Sequence, residues 1–417
     1  EKVRFALRRV TARLLVESPE VAAGIMGDLY RRGVFTLGEL PPELRERMML
    51  DQFINFFLED PGQRLADFSA IKTARDYQVA ANRYVLMVAE LMRRGEVEAA
   101  DRIFKTLIEH LKTPAPSLQN RGPMAREAMK QLARPSLIKI LLDALVKVDK
   151  EQRDKVAAVI YAAGAPASVA IIEGMAEIED RSLRRILCEI LTRIGAPAVS
   201  PIVDRINRPE SSWFLIRNLL MILGDLKSPA VSHNLDSFLK HQHPRVREEA
   251  LVYAVKLLGL ESEQKIIGSL SDPDPAVQRR VIRLLSRFPE LSPAALESTA
   301  NYLVKKMEGE ISAEDEPAAV SAVEMLGKFK PAGLPGGGTV EDILIHILEA
   351  ETGRGGLLGR LTGTKVRHSA KLRGAIIETL GKVGTGKAKK VLAALAKDKD
   401  QQVKDKAQAA LGELEKR

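Results

Sequence analysis

The sequence has one cysteine, few aromatic residues and no long apolar run. A single cysteine, Cys188, excludes internal disulfides and fits a reducing compartment, and its apolar neighbours predict a core position. Aromatic residues make up only 4% of the 417 residues, so packing must depend on aliphatic side chains. No run of about 18 apolar residues and no signal peptide are visible, so we expect a cytoplasmic protein without a membrane span. The chain begins with Glu1 rather than Met, and the sequence leaves open whether it is a fragment that lacks an upstream catalytic or signalling domain.

What the sequence does have is a series of apolar helical stripes that are broken at regular intervals. Between residues 152 and 163, apolar side chains recur at the spacing of one helix face, Gly164 ends the pattern and Pro166 opens the next helix. The same break recurs 31 residues later at Gly195. Further breaks are predicted at Gly224, Gly259, Phe288, Gly327 and Gly381. Repetition at a few tens of residues predicts a solenoid, because stacked helix pairs bury stripes that a single pair cannot.

Two segments give this repeat a resemblance to a known family. Ser271–Arg280 (SDPDPAVQRR) and His243–Ala250 (HPRVREEA) resemble the opening of short HEAT-like repeats, and the resemblance covers roughly residues 117–417. It implies an all-α fold, a right-handed α–α superhelix. The period is shorter than the roughly 40–47 residues of longer HEAT units, which favours the short bacterial variety. The family includes scaffolds, adaptor domains and a few enzymes, so the resemblance implies a fold and no particular function.

The repeat pattern divides the chain into four predicted segments. Residues 1–117 form a helical N-terminal domain outside the repeat, and residues 118–330 form HEAT-like repeats. Residues 331–364 are an interruption rich in Gly and Pro with one helix, whose loops we expect to be mobile. Residues 365–417 form a last repeat and cap. The densest aromatic stretch, Met48–Phe57, is either a local core or a groove for a partner helix.

Charge is concentrated near the C-terminus. The net charge is +9, and residues 1–117 and 118–330 are each close to neutral. The window from residue 352 to 390 holds ten basic residues and one acidic residue, Glu378. The ten are Arg354, Arg360, Lys365, Arg367, Lys371, Arg373, Lys382, Lys387, Lys389 and Lys390. We name this set the basic window; it predicts a site for a polyanion or an acidic protein segment, and its alternative is a solvated end without a partner.

Several catalytic patterns fail on their residue types. Gly381–Ala388 (GKVGTGKA) nearly spells a phosphate-binding loop, but it lacks the final hydroxyl and follows a helix. His233, His241 and His243 have no carboxylate or thiol at a fitting spacing and are interpreted as loop residues. HEAT-type hydroxylases bind iron through His-Glu dipeptides, of which this sequence has none.

We predict no catalytic residue, no metal site and no cofactor. The favoured function is a non-catalytic protein-interaction scaffold or regulatory adaptor whose partner is another protein. The alternative is a nucleic-acid-binding protein that uses the basic window. A more specific form of this alternative is a protein similar to HEAT-like DNA glycosylases, in which Trp213 and either Asp225 or Asp236 would face the base. The spacing of Trp213 also fits an apolar core stripe.

Overall fold

The computed structural model describes residues 5–6, 9–10, 19–113, 118–307, 311–329, 337–351 and 368–416. Within these ranges the regular elements are helices, with no β-strand. The chain divides into two compact units, Glu1–Ile202 and Val203–Arg417. Neither predicted Gly/Pro-rich loop is covered in full, since residues 330–336 and 352–367 lie outside the described ranges. The four predicted segments stay predictions.

The first unit consists of helices joined by short connections. Its helices are α1 (Pro19–Arg31), α2 (Pro42–Glu59), α3 (Pro61–Ser69), α4 (Ala74–Arg94), α5 (Val97–Lys112), α6 (Arg121–Met129), α7 (Pro135–Lys147), α8 (Arg153–Ala162), α9 (Ser168–Glu177) and α10 (Arg181–Ile194). Helix α11 (Val199–Ile206) spans the boundary between the units.

The second unit continues the series of helix pairs. Its helices are α12 (Trp213–Asp225), α13 (Leu235–Leu239), α14 (Pro244–Leu258), α15 (Glu263–Ile266), α16 (Pro275–Leu285), α17 (Pro293–Met307), α18 (Glu316–Phe329), α19 (Val340–Glu351), α20 (Ala370–Val383), α21 (Gly386–Leu395) and α22 (Gln401–Glu415). Helix α15 is continued by the 3₁₀ turn Ile267–Ser271. The first helices of successive pairs, such as α12, α14 and α16, pack against one another.

Predicted breaks between the helices of a pair are confirmed at Gly164, Gly195 and Gly259, and Phe288 also lies between α16 and α17. The φ angles of the three glycines are 70°, 80° and 56°, values that glycine adopts without the strain a side chain would add. A 3₁₀ turn with Pro at its second position follows Gly164 and Gly195 and leads into α9 or α11. The regular helix pairs confirm the predicted all-α, HEAT-like repeat fold.

At three further predicted breaks the helix ends one or two residues after the glycine, because Gly224, Gly327 and Gly381 lie inside the last turns of α12, α18 and α20. A Cβ on Gly327 would lie 2.8 Å from Cγ2 of Thr379 on α20. One on Gly381 would lie 3.0 Å from Cβ of Ala410 on α22. These glycines therefore allow a close approach of successive first helices, and the chain turns only after them.

The core follows the predicted stripes in most places. Cys188 and Ile202 are buried as predicted, whereas Ile186 from the same stripes is only half-buried. In the part of the chain that the structure describes, no single helix is long and apolar enough to cross a membrane. Two bent helix pairs, residues 153–177 and 181–206, pass that test jointly by length and composition.

Candidate functional site

Four members of the basic window, Arg354, Arg360, Lys365 and Arg367, lie outside the described residues. The other six lie on α20 and α21. Lys371 and Lys382 are at opposite ends of α20, which at 1.5 Å per residue places them roughly 16 Å apart along the helix. Lys387, Lys389 and Lys390 follow in α21. The described part of the window is therefore spread along one helix pair and does not converge on a point.

Arg373 does not belong to a solvated basic surface, contrary to the prediction. It is 6% exposed, and its Nη1 lies 3.1 Å from Oδ2 of Asp398 in the next repeat. Asp398 also accepts a hydrogen bond from the backbone of Asp400, which caps α22. Arg247 on α14 makes the same arrangement three repeats earlier, with two 2.7 Å bonds to Asp272, which accepts from the backbone of Asp274. Arg373 is therefore a structural ion pair between repeats.

The remaining lysines differ in their pairing. Nζ of Lys387 lies 3.0 Å from Oδ1 of Asp342, and this hydrogen bond raises the pKa of Lys387. Lys371, Lys389 and Lys390 are exposed, and none of them forms an ion pair with another described residue. Only these three described positions match the predicted free basic surface.

The segment that resembles a phosphate-binding loop is already occupied by a carboxylate. The backbone amides of Thr385 and Ala388 donate hydrogen bonds of 2.7 and 2.9 Å to Oε1 of Glu341, and the Thr385 hydroxyl donates to Oε2 at 2.9 Å. Glu341 is buried. The amides at the start of α21 therefore hold a side chain of the protein itself, in agreement with the rejection of a nucleotide site there.

Trp213 is not in the core, contrary to the prediction. It is 39% exposed, and its ring stacks on His243 with centroids 3.9 Å apart and planes inclined by 4°. Of the two acidic residues considered with it, Asp225 pairs with Lys256, and Asp236 pairs with Lys265. Each of the three side chains therefore contacts a different partner, and these contacts do not bring them together around a site for a base.

Two openings of the second unit lie along the second helices of successive pairs. A first cleft of about 680 Å³ is lined by α13, α15 and the start of α14, and a second cleft of about 350 Å³ by residues 267–271 and by α17. Gly268 and Ser271 line both of them. We name the pair the second-helix clefts. Because they share a wall, they offer adjoining subsites along three consecutive repeats.

The charges that line the second-helix clefts are mainly positive. The basic side chains are Lys240, Arg247, Lys265, Lys305 and Lys306, and the acidic ones are Asp236 and Asp272. Asp272 forms an ion pair with Arg247, and Oδ1 of Asp236 lies 3.4 Å from Nζ of Lys265. Lys306 is bound to Asp315 at 3.1 Å. Lys240 and Lys305 are exposed and have no ion-pair partner among the described residues.

Two buried polar atoms in the second cleft have no hydrogen-bond partner within the described ranges. They are the hydroxyl of Tyr302 and Oε1 of Gln278, whose amide nitrogen donates to the carbonyl of Asp272 at 2.6 Å. Burial raises the pKa of Tyr302 to about 12, so its hydroxyl stays protonated and is a donor. Both atoms are shielded from solvent, so they belong to the wall of the second cleft and are not open to a ligand that lies in it.

Sequence reasoning did not identify these clefts. Their lining residues are ordinary helix and turn residues without a motif, and only tertiary packing brings Gln278 of α16 and Tyr302 of α17 to one opening. The repeated Asp-x-Asp of residues 272–274 and 398–400, by contrast, is visible in the sequence and would have identified Arg373 as an ion-pair partner. Within the described ranges, no three His, Cys, Asp or Glu side chains are grouped so that they could hold a metal ion.

Comparison with known proteins gives structural likenesses only. No family model and no curated protein matches the chain. A chain of the AP-3 complex is 10% identical over 81% of this chain and 63% of its own length, with a TM-score of 0.45. Importin beta is 14% identical over 90% of this chain and 50% of its own, with a TM-score of 0.42.

Human deoxyhypusine hydroxylase is also similar, at 15% identity over 71% of this chain and 100% of its own, with a TM-score of 0.28. Because these TM-scores are below 0.5, the assignment of the fold rests on the helix pairs of this chain itself.

Proposed function

We propose that the protein is a non-catalytic interaction scaffold that binds a polypeptide segment of another protein in the second-helix clefts. The observation that carries this proposal is the presence of two adjoining clefts along three consecutive second helices. Adjoining subsites along a row of repeats fit an elongated ligand, and extended binding surfaces of this kind are characteristic of solenoids.

The side chains of the clefts define the chemistry of that segment. Lys240 and Lys305 add positive charge without a described ion-pair partner, so acidic side chains on the segment are favoured. The proposed partner is therefore a protein with an extended, acidic segment.

The proposal is tested by affinity capture from native lysate with immobilised full-length protein, before and after nuclease treatment. We expect captured proteins to persist after nuclease treatment, and to be lost from the double variant Lys240→Glu, Lys305→Glu. A matched control is Arg283→Glu, Arg287→Glu, which makes the same charge change at exposed positions on α16 and just after it, outside the clefts. Equal capture by both double variants would contradict the proposal.

The alternative function, nucleic-acid binding through the basic window, is favoured by a single observation. Lys371, Lys389 and Lys390 are exposed without a described ion-pair partner. If these lysines contact phosphates, the affinity for labelled duplex DNA should fall steeply with salt, with a slope of roughly −0.9 per contact. Changing all three to Glu should then abolish the anisotropy signal. Salt-independent binding, or equal binding by the triple variant, would remove this alternative.

A further inference from the structure

A second opening lies in the first unit, between α2, α3 and α4. Its volume is about 280 Å³, and its walls include Phe53, Phe56 and Phe57 of α2, Phe68 of α3 and Tyr84 of α4. We name it the aromatic cavity. In a chain with only 4% aromatic residues, such a concentration at one opening is unusual. The aromatic stretch of α2 therefore contributes to a cavity as well as to a local core.

The exposed side of α2 extends the apolar surface beyond the cavity. Phe56 is 48% exposed and Met49 is 39% exposed, and Phe53 between them is half-buried. These three residues are spaced i, i+4 and i+7, so they form one stripe about 10 Å long on a helix. Buried neighbours such as Ile54 and Phe57 hold the helix in place from its other side. The stripe has the length and spacing of an anchor for a short partner helix.

Two arginines stand at the aromatic cavity and stack on its rings. Cζ of Arg64 lies 3.4 Å from the centre of the Phe56 ring, and Cζ of Arg83 lies 3.5 Å from the centre of the Phe53 ring. Stacking uses the flat face of a guanidinium group and leaves the N–H groups at its edge available. The rings therefore orient two sets of hydrogen-bond donors at the opening.

The guanidinium groups of Arg64 and Arg83 have few acceptors among the described residues. The nearest carboxylate contact of Arg64 is Oδ2 of Asp67 at 3.7 Å, and its buried Nε has no hydrogen-bond partner among the described residues. Arg83 has no carboxylate within 4.0 Å in the ranges that the structure describes. Burial lowers the pKa of Arg83, which indicates a cation whose charge is not compensated. Carboxylates would compensate both guanidinium groups through strong, two-pronged hydrogen bonds.

We propose that the aromatic cavity is the docking site for an acidic amphipathic helix of a partner protein. A bulky apolar side chain of that helix enters the cavity, and its neighbouring Asp or Glu side chains bind the edges of Arg64 and Arg83. The first 18 residues of the chain do not meet this requirement, because they contain five basic residues and only two acidic ones. The site is independent of the second-helix clefts, which belong to the other unit.

The proposal is tested by fluorescence anisotropy on the full chain with a labelled synthetic peptide. The probe is a short amphipathic helix in which Leu and Trp alternate with Asp and Glu at helical spacing. A matched peptide carries Lys and Arg in place of the acidic residues. We expect the acidic peptide to bind with an affinity that falls as salt is added, and the basic peptide to bind at least about tenfold more weakly.

Substitutions locate the binding. Arg83→Gln should weaken the acidic peptide about tenfold or more, since a charged hydrogen bond to a carboxylate is lost. Arg83→Lys should give an intermediate loss, because lysine keeps the charge and lacks the planar fork. Arg75→Gln, an exposed arginine on the same helix outside the cavity, is the matched control and should have no effect. Unchanged helical circular dichroism will show that the variants are folded.

Three results would overturn the proposal. One is equal binding of the acidic and basic peptides, and another is full affinity in Arg83→Gln. The third is self-association of the free protein that Arg83→Gln abolishes, because it would assign the cavity to a second copy of the chain. The cleft variant Lys240→Glu, Lys305→Glu should keep most of its affinity for the acidic peptide, so failure at the cavity and failure at the clefts are distinguishable.

Discussion

At the scale of single residues, two members of the basic window should contribute differently to stability. Arg373 forms a buried ion pair with Asp398, whereas Lys371 is exposed. Arg373→Gln leaves the carboxylate without its buried partner, so we expect it to lower the free energy of unfolding by about 3 kcal/mol. The exposed neighbour Lys371→Gln should change it by less than about 0.5 kcal/mol. Urea unfolding followed by circular dichroism measures both. Equal, small effects would mean that Arg373 is a surface residue after all.

His110 is the residue whose environment predicts a pH dependence. It is 2% exposed, with Nδ1 2.9 Å from the hydroxyl of Tyr77 and Nε2 2.9 Å from the hydroxyl of Ser69. Ser69 donates its hydrogen to the carbonyl of Leu65, so its oxygen must accept from Nε2, and Nδ1 then accepts from Tyr77. Neutral His110 is therefore fully hydrogen-bonded, and burial, together with the charge of Arg121, lowers its pKa to about 4.

The sign of the pH effect follows from this lowered pKa. Between about pH 6.5 and pH 4 the unfolded chain binds a proton at His110 and the folded protein does not, so stability should fall as the pH is lowered through that window. The loss is at most on the order of 3 kcal/mol, and stability is fully present above pH 6.5. Urea midpoints at pH 7 and pH 4.5 should therefore differ less in His110→Gln than in the unmodified protein. An identical pH response would contradict the assignment.

At the scale of elements, the glycines near the ends of first helices set how closely successive helices approach. We expect Gly327→Ala to cost about 1–3 kcal/mol, because its Cβ would overlap Cγ2 of Thr379 on α20. Thr379→Ala in the same chain should recover part of that loss. The control is Gly412→Ala in α22, where nothing lies within 4 Å of the new Cβ, and it should stabilise by about 0.5–1 kcal/mol. Equal effects at both glycines, measured by urea unfolding, would exclude a packing role.

The same elements show how far the sequence predicts this fold. Periodic apolar stripes and the Gly-x-Pro breaks at 164–166 and 195–197 locate the helix pairs, because these signals act over one or two turns of chain. The sequence does not show that the helices continue one or two residues past Gly224, Gly327 and Gly381, since a glycine that ends a helix and one that admits a neighbouring helix have the same local sequence signal. The placement of Tyr302 and Gln278 at one opening depends on tertiary packing, which no local pattern encodes.

At the scale of the whole molecule, a substitution in one helix pair should destabilise the adjacent pairs and leave distant pairs unchanged, because each pair packs mainly on its neighbours. Ile160 is fully buried in the first unit, so Ile160→Ala should cost about 2–5 kcal/mol through the cavity it leaves. Hydrogen exchange should then speed up in α7–α10 and stay unchanged in α20–α22 of the second unit. A uniform loss of protection along the chain would instead indicate a single cooperative core.

The central claim is that a polypeptide partner lies in the second-helix clefts, and site-specific photo-crosslinking tests it most directly. Benzoylphenylalanine is placed at Asn301, an exposed position in the second cleft, and in a separate variant at Arg283 on the first helix α16. After irradiation in native lysate, mass spectrometry identifies what is attached to each position. We predict nuclease-resistant protein crosslinks at position 301 and none at position 283. Equal crosslinking at both positions, or attachment of nucleic acid alone, would contradict the claim.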